Sequence, residues 1–363
     1  MMFSGSYAAD DVCILLKPVL LPDTPLAEKE RLIQSGQRHY SEMLSHERLP
    51  SRAYMELFHA ALRLNQQRMA IDLVRLAARI ATTREGEITL VSLARAGTPI
   101  GVVLKHVLTR DFGRCAAHYS ISIIRDRGID HNALEYIIER HDETSLVFID
   151  GWTAKGVIAE ELKRSVQDFN RARKTSISPA LHVLSDLSGS AEVTAGCEDY
   201  LIPSSILNAT ISGLISRSIL NSEKIGPNDF HGCLYYDQFR SVDLSRWFVQ
   251  RLLSAIQALP EAVRRESTET VDRAELQTIC NRFLADIATR FGILDRNRIK
   301  PGIGEATRVL LRRVPHLLLL RDPKDPAVQH LGLLAREKQV PVLTDTRLPY
   351  RAVSLIQEIS HHV

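Results

Sequence analysis

The chain has 363 residues, a length that favours two domains over one. It is 45% hydrophobic and 25% charged, which fits a globular protein with sizeable cores and excludes a disordered chain. The net charge is only +3, but residues 296–363 carry 12 Lys/Arg and 6 Asp/Glu, so residues 1–295 have a net charge of −3. A basic C-terminal segment favours a polyanionic partner, and an ordinary solvated surface is the alternative.

The five cysteines are widely scattered and form no C-x-x-C pair. They are Cys13, Cys115, Cys197, Cys233 and Cys280. This spacing predicts neither a zinc site nor a disulfide framework, and it favours reduced thiols in a cytoplasmic protein. The first apolar run is short and is broken by Lys17, which argues against a signal peptide, and no run approaches the ~18 apolar residues of a membrane span. We therefore expect no membrane partner.

Strands and helices alternate through the first half of the chain. Residues 1–30 are expected to wrap the body, and apolar residues at helical spacing predict a helix within 42–81. Strands are then predicted at 87–93, 119–124, 145–149 and 181–184. Helices are predicted at 100–108, 131–140 and 157–169. This alternation predicts an α/β fold with a doubly wound parallel sheet.

The second half is predicted to add helices and then a small domain. Residues 200–295 look largely helical, notably over 245–259 and 273–291. The glycine-rich stretch 292–304 marks a boundary, so we predict domains at 1–295 and 296–363. The second domain has a small α/β pattern, with helices at 304–314, 327–338 and 352–359 and strands at 317–320 and 340–343.

The most specific chemical signal is the segment LVFIDGWTAKGVIAEEL, residues 146–162. An apolar strand ends at Asp150, and a loop of small residues then leads into a helix. Ligands sit at the carboxyl ends of parallel strands, and the free N–H groups of a helix N-terminus bind anions. The Thr153 hydroxyl, the Lys155 ammonium and the close backbone approach allowed by Gly156 together predict a phosphate site. The alternative is a glycine-rich helix start with Asp150 as a structural cap.

The segment from Asp150 to Gly156 resembles the phosphoribosyl pyrophosphate loop of the phosphoribosyltransferases. The resemblance implies that Asp150 contacts the ribose hydroxyls and the metal, which is Mg²⁺. It also implies a 5-phosphate loop made of Thr153, Ala154, Lys155 and Gly156. Gly151 stands where that family has a second acid, and Lys155 also departs from its pattern.

A second loop, Arg95-Ala96-Gly97, follows the first predicted strand, 55 residues before Asp150. It resembles the pyrophosphate loop of the same family, in which glycine exposes backbone amides and arginine complements the charge. Arg125, after the second strand, is predicted to contact the pyrophosphate as well. The alternative for this loop is a tight turn with a surface arginine.

A segment rich in small polar residues is predicted to line the pocket for an acceptor base. Its candidate residues are Ser204, Ser205, Asn208, Ser212 and Arg217. The alternative is a helix cap followed by a packed face of small residues.

Motifs along almost the whole chain resemble one bacterial family, labelled StiP and associated with tellurite-resistance-type stress gene clusters. They are SLARAGTP, HYSISIIRDRGID, VFIDGWTAKG, IPSSILNATISGLISR and FHGCLYY. The resemblance implies a phosphoribosyltransferase-like domain followed by a pelota-type domain.

The StiP family is often named as a cysteine protease, which needs a thiol activated by a base. The candidate pairs are Cys233 with His231 and Cys115 with His118. Residues two or three positions apart seldom face each other, and no protease signature surrounds these cysteines. This function is therefore disfavoured.

The segment Ile299–Arg308 resembles the glycine-rich helix start of the pelota and kink-turn-binding proteins, with Gly304 in place of their usual asparagine. The resemblance implies RNA contacts, for which backbone amides and basic side chains suit phosphates. The predicted RNA-binding residues are Lys300, Gly302, Gly304, Glu305, Arg308 and Arg312. The alternative is a dimerisation or docking module.

We therefore expect an enzyme that binds Mg²⁺·phosphoribosyl pyrophosphate, or a similar nucleotide-like molecule, and transfers phosphoribosyl to or from a base-like acceptor in a stress response. Structured RNA is a further expected partner. The alternatives are a non-catalytic nucleotide- or RNA-binding regulator and a cysteine protease. The sequence leaves the acceptor, the RNA and the oligomeric state open, a homo-oligomer included.

Overall fold

A parallel sheet organises the first of two α/β units in the computed structural model, which describes residues 3–265 and 271–358. Its strands are β1 (Cys13–Leu15), β3 (Ile88–Ala94), β4 (Ala116–Ile124), β6 (Leu146–Ile149), β7 (Trp152–Thr153), β8 (Leu181–Asp186) and β9 (Val193–Gly196). They run in the order β1-β4-β3-β6-β8-β7, and β9 also pairs with β8. A short strand β5 (Gly128–Ile129) folds back antiparallel on β4, and β2 (Lys17–Pro18) pairs with β10 (Gly232–Cys233).

Seven α-helices belong to the described part of this unit. They are α1 (Leu26–Gln34), α2 (Arg52–Thr83), α3 (Gly97–Phe112), α4 (His131–Ile138), α5 (Val157–Arg173), α6 (Ser245–Gln257) and α7 (Glu261–Arg265). Helices α2, α3 and α6 cover one face of the sheet, while α4 and α5 cover the other. The strand period of two assigns each side chain to a face. In β6, Val147 and Ile149 belong to the core with α2, α3 and α6, whereas Leu146 and Phe148 belong to the core with α4 and α5. The doubly wound parallel sheet predicted from the sequence is confirmed.

A smaller mixed sheet forms the second unit. Its elements are α8 (Arg273–Arg290), β11 (Ile299–Pro301), α9 (Ile303–Arg312), β12 (Pro315–Leu320), α10 (Gln329–Glu337), β13 (Val342–Thr344) and β14 (Ala352–Ile356). The strand order is β11-β14-β12-β13, with β14 antiparallel to both of its neighbours and β12 parallel to β13.

The helix predicted over 352–359 is wrong. Residues 352–356 form β14, the strand between β11 and β12, and all five are buried. A strand covered on both faces has no polar alternation, so periodicity cannot distinguish its short apolar run from a buried helix. Ile359, the end of the predicted helix, lies outside the described residues.

The prediction that residues 200–295 are largely helical holds only after residue 244. Helices α6 and α8 lie at the predicted places, but residues 200–244 contain only short 3-10 turns and the strand β10. Gly213 has a φ of +78°, and Ser, Asn, Gly and Pro recur along this stretch, where their side chains and backbone freedom favour turns.

The N-terminal segment contributes to the main sheet, which the sequence pattern did not predict. Cys13–Leu15 forms the edge strand β1 in parallel register with Tyr119–Ile121 of β4. Three residues are too short a run to show a strand period.

The two units share apolar cores. Ile303 and Leu318 of the second unit belong to the same cluster as Ile149, and Ala154 belongs to the cluster of Ile299 and Leu319. The helix α8 packs within that second cluster through Cys280, Phe283, Leu284 and Ile287. The predicted boundary at 295/296 stays a prediction. Within residues 3–265 and 271–358, no helix is long and apolar enough to cross a membrane.

Candidate functional site

The two predicted loops meet at the point where the strand order of the main sheet reverses. Strand β3 pairs with β4 on one side and β6 on the other, and the loops 94–97 and 150–156 leave the carboxyl ends of β3 and β6. A Cβ on Gly97 would lie 2.4 Å from the Ile149 carbonyl oxygen and 3.2 Å from the Asp150 Cα, so only glycine fits. Such a reversal point is where parallel α/β sheets bind ligands.

The start of α5 forms a turn suited to an anion. The Thr153 hydroxyl accepts from the Gly156 N–H at 3.2 Å and lies 3.1 Å from the Ser190 hydroxyl. Gly156 has a φ of +80°, a conformation that favours glycine, and no side chain caps α5. The first-turn amides of this 17-residue helix are therefore left for a ligand.

Asp150 is half-buried at the carboxyl end of β6. Its carboxylate accepts from the Gly151 N–H at 2.7 Å. The pKa of Asp150 is raised to about 7, mainly because the carboxyl is buried; the Gly151 hydrogen bond and the Arg308 charge oppose this rise, and the Glu305 carboxylate adds to it. The carboxyl is therefore poised between its two protonation states at neutral pH.

Lys155 points toward the second unit. Its Nζ donates to the Arg296 carbonyl at 2.9 Å. Burial, together with the Lys300 ammonium, lowers the pKa of Lys155 to about 8, so the side chain is still mostly charged at pH 7.

Arg95 is anchored by protein groups. Its guanidinium lies 2.6 Å from the Glu47 carboxylate and donates to the Ile215 carbonyl at 3.0 Å. Glu47 also accepts from the Ala209 N–H at 2.7 Å. Burial alone would raise the pKa of Glu47, but Arg95 outweighs burial and lowers it. A pyrophosphate beside this loop would thus meet an arginine whose position is already set.

Arg125 lies at the turn that follows β4. Its guanidinium is 3.1 Å from the Asp126 carboxylate and donates to the Asn297 side-chain oxygen at 3.3 Å. Arg125 also contributes to the lowered pKa of Lys155, so it lies in the same electrostatic environment as the phosphate loop.

The residues predicted for the acceptor pocket lie on the irregular segment 203–217, where protein groups use much of their hydrogen-bonding capacity. The Asn208 amide donates to the Arg48 carbonyl at 2.7 Å, and the Ser212 hydroxyl donates to the Asn208 carbonyl at 3.3 Å. Arg217 is half-buried and donates to the Tyr40 carbonyl at 2.6 Å. The acceptor role of these residues stays a prediction.

The first turn of α9, in the second unit, is seated on the Asp150 loop. Asp199, which follows β9, accepts from the Ile303 and Arg351 N–H groups, each at 2.8 Å, and so caps α9 from the other unit. A Cβ on Gly304 would lie 3.3 Å from the Trp152 ring. The second unit therefore forms one wall of the candidate site.

This arrangement buries the residues predicted to contact RNA. Gly302 and Gly304 are buried, and the other four are half-buried. Arg308 lies over the Trp152 ring with its guanidinium carbon 5.6 Å from the centroid, and Arg312 donates to the Ser205 carbonyl at 3.2 Å. RNA contact with the buried Gly302 and Gly304 would require the two units to separate.

Glu305 brings a second carboxylate to the site. It lies 2.9 Å from the Arg308 guanidinium and 4.0 Å from the Lys300 ammonium. Burial alone would raise the pKa of Glu305, but Arg308 and Lys300 outweigh burial and lower it. One ionised carboxylate and one of near-neutral pKa thus lie in the same electrostatic environment. The sequence motif assigned Glu305 to RNA and did not predict this placement.

A serine loop after β8 is a further part of the site that the sequence analysis missed. Asp186 accepts from the Ser188 and Ala191 N–H groups, each at 2.8 Å, and the Ser190 hydroxyl reaches Thr153. The signal was present as the run of small hydroxylated residues SGS directly after a predicted strand.

A magnesium ion fits this site as a partner of a polyphosphate. In residues 3–265 and 271–358, no group of three or more His, Cys, Asp or Glu side chains is arranged to hold a metal. Mg²⁺ at phosphate sites takes one or two carboxylates and completes its shell with phosphate oxygens and water. The Asp150 carboxylate would supply one such ligand.

The Cys–His pairs suggested by the sequence are not arranged for nucleophilic catalysis. Cys233 is fully buried, and burial raises its pKa to about 12. The His231 Nδ1 lies 2.8 Å from the Ser122 hydroxyl, and the His118 Nε2 lies 2.7 Å from the Ser92 hydroxyl. A reactive cysteine needs a lowered pKa and access to solvent.

The remaining cysteines also lack the required environment. Cys13 and Cys280 are buried, and burial raises the pKa of each. Cys115 is exposed but directly precedes β4. It therefore lies at the amino-terminal ends of the parallel strands, whereas the Asp150 loop lies at their carboxyl ends. Cys197 is exposed, and partial burial and the Glu198 carboxylate raise its pKa.

We expect iodoacetamide at pH 8 to label Cys115 and Cys197 in the folded protein and to leave Cys233 unlabelled, because burial protects that thiol and keeps it protonated. Mass spectrometry of the labelled peptides measures this directly. Fast labelling of Cys233, at the rate found in urea, would contradict the assignment of this cysteine to the core.

Replacing Asp199 with alanine leaves two buried N–H groups without their acceptor. We expect Asp199→Ala to lower the free energy of unfolding by about 2–4 kcal/mol, measured by urea denaturation. Asp168→Ala on the exposed face of α5 is the matched control and is expected to change it by less than about 0.5 kcal/mol. Equal effects of the two substitutions would show that the cap does not hold the units together.

Comparisons with known proteins agree with this arrangement of two units. The family model described as tellurite-like stress resistance cysteine protease StiP matches residues 5–253, and the PELOTA RNA binding domain model matches residues 278–358. The curated cysteine protease StiP of Acinetobacter baylyi is 43% identical over 370 residues, covering 98% of this chain and 95% of the relative.

Solved structures that match part of this chain include hypoxanthine phosphoribosyltransferases from Trypanosoma cruzi. One, in complex with the product IMP, is 15% identical with a TM-score of 0.28 and covers 38% of this chain and 76% of its own. A variant with the same product is 14% identical with a TM-score of 0.29 and covers 54% and 94%. Residues 278–358 are similar to the PELOTA RNA binding domain, and on the family match and the curated relative the chain belongs to the StiP family.

Proposed function

We propose that this StiP-family protein binds Mg²⁺·phosphoribosyl pyrophosphate and transfers the phosphoribosyl group to a base-like acceptor, or carries out the reverse phosphorolysis. The observation that carries the proposal is the contact of the loops after β3 and β6 at the reversal point of the sheet, where Gly97 touches the backbone of Ile149 and Asp150. Two anion-type loops in contact match a ligand with a phosphate at one end and a pyrophosphate at the other.

Each loop takes one part of the ligand in this proposal. The α5 amides and the Thr153–Gly156 turn hold the 5-phosphate, with Lys155 adding positive charge. The backbone of Ala96 and Gly97, with Arg95 and Arg125, holds the pyrophosphate. Asp150 begins the second loop, where that loop contacts Gly97, and accepts from the ribose hydroxyls.

The reaction breaks the bond between the ribose C1 and the pyrophosphate oxygen and forms a bond from C1 to the acceptor nitrogen. Positive charge develops on the ribose ring, and the carboxylates of Asp150 and Glu305 stabilise it electrostatically. Mg²⁺, when bound, neutralises the charge of the leaving pyrophosphate. The protein contributes mainly positioning, because Arg95 and the Thr153 turn are set before the ligand arrives.

RNA binding by the C-terminal unit belongs to the same proposal. The family described as an RNA binding domain covers residues 278–358, and basic side chains remain exposed on this unit. They are Lys324, Arg336, Lys338 and Arg347. RNA phosphates can contact these side chains while α9 stays packed against the Asp150 loop.

A regulator without turnover is the second candidate, favoured by one observation. The start of α9 covers the loop through Gly304 and Trp152, and Gly151 adds no second carboxyl to the loop itself. Ligand binding without product formation would separate this candidate from the enzyme. The protease activity in the family name is not proposed, because the His partners of Cys233 and Cys115 are bonded to serines.

Asp150→Ala is expected to weaken binding of Mg²⁺·phosphoribosyl pyrophosphate at least tenfold, because the ribose hydroxyls lose their acceptor. Calorimetric titration of the full chain measures the affinity. Asp168→Ala, which removes an exposed carboxylate from α5, is the control and should bind like wild type. Unchanged affinity in Asp150→Ala, or no binding by wild type, would contradict the proposal.

Binding is also expected to depend on pH through Asp150. The ionised carboxyl is the form that accepts hydroxyls and binds Mg²⁺, and its pKa of about 7 means that ionisation rises between pH 6 and pH 8. The affinity of wild type relative to Asp150→Asn should increase by up to about tenfold over this range. Titrations of both proteins at pH 6, 7 and 8 test this, and a constant ratio would show that Asp150 does not titrate with binding.

A further inference from the structure

A basic cleft opens beside the candidate site. It has a volume of about 340 Å³, within the range of small-molecule sites. Three arginines, Arg38, Arg125 and Arg127, line it, together with His39 and Tyr40. None of the lining residues belongs to the loops 94–97 or 150–156, and Arg125 is the one lining residue that the cleft shares with the proposed phosphoribosyl site.

The cleft is formed by two segments that are far apart in sequence and are joined by a hydrogen bond. One is 36–42, which follows α1, and the other is the turn 125–127 between β4 and β5. The Tyr40 hydroxyl accepts from the Arg125 N–H at 2.9 Å and joins the two. Behind this wall, Arg217 donates to the Tyr40 carbonyl at 2.6 Å. The walls are therefore positioned before any ligand binds.

Positive charge in the cleft exceeds negative charge. Glu42 is the one carboxylate among the lining residues, and it is shared, at 3.3 Å from Arg127 and 3.9 Å from Arg38. The Arg38 and Arg127 side chains are 47% and 48% exposed, so donors on both remain free for a ligand. Asp126, the partner of Arg125, is 69% exposed and is not a lining residue.

We propose that this cleft is a second oxyanion site that binds the phosphate or pyrophosphate group of a small phosphorylated molecule. Arginines present paired N–H donors that match phosphate oxygens, and three of them converge here. The concave shape and small volume favour a small molecule over a nucleic-acid helix. This proposal rests on the proposed function only in placing the cleft beside a phosphoribosyl site. The prediction that the cleft binds an oxyanion depends on the residues of the cleft alone.

Arginine footprinting of the full chain with inorganic pyrophosphate tests this site by residue. Phenylglyoxal modifies exposed guanidinium groups, and peptide mass spectrometry gives the rate at each arginine. Pyrophosphate is expected to slow modification of Arg38 and Arg127 at least fivefold and to leave Arg171 and Arg240 unchanged. These two controls are exposed arginines that are also paired with a carboxylate. Equal rates at Arg38 and Arg127 with and without millimolar pyrophosphate would overturn the proposal.

Two sets of variants complete the experiment. The double variant Arg38→Ala/Arg127→Ala should lose at least tenfold in calorimetric affinity for one pyrophosphate, whereas Arg171→Ala/Arg240→Ala should not. An equal loss of pyrophosphate affinity in both double variants would show only a general effect of net charge and would also overturn the proposal. In Asp150→Ala, protection of Arg38 and Arg127 should persist. If pyrophosphate protects Arg38 and Arg127 in wild type but phosphoribosyl pyrophosphate does not bind, the proposed function is rejected and the proposal for the cleft is retained.

Discussion

The pairing of β3 with β6 is the constraint on which the candidate site depends. Parallel pairing puts the carboxyl ends of both strands at one edge, and the reversal of strand order leaves a crevice between the loops that follow. Gly97 lets α3 begin directly against the Ile149 carbonyl, where any side chain would clash. Two loops that are 55 residues apart in sequence therefore form one surface, with free amides on one side and anchored Arg95 on the other.

The second unit depends on the first for the geometry of its own helix. Asp199 accepts the N–H groups of Ile303 and Arg351, so the start of α9 is capped only when the two units are together. This contact carries Glu305, Lys300 and Arg308 to the Asp150 loop. Burial raises the pKa of Asp150 there, while Arg308 lowers it and Glu305 raises it. The same contact hides the helix start that the sequence motif assigns to RNA. Small-molecule binding and RNA contact through α9 therefore depend on one interface.

The sequence pattern correctly predicted the helices and strands whose apolar residues keep a helical or strand spacing over several residues. The strands near 88–94 and 146–149 and the helices around them are where the apolar spacing indicated, and the small-residue loops after those strands do meet. Strand β14 was predicted as a helix because a run of five residues buried on both faces has no strand-like alternation. The basic cleft was not predicted, because its walls come from residues about 85 positions apart and only the Tyr40–Arg125 contact brings them together.

Hydrogen exchange of the full chain, with and without Mg²⁺·phosphoribosyl pyrophosphate, tests the central claim most directly, because it reports the backbone amides themselves. If the ligand lies where the two loops meet, exchange slows in peptides covering 95–98 and 151–158, since the amides at the start of α5 become donors to the 5-phosphate. Peptides from α10, far along the chain from these loops, should not change. Unchanged exchange at 151–158 under saturating ligand would contradict the account.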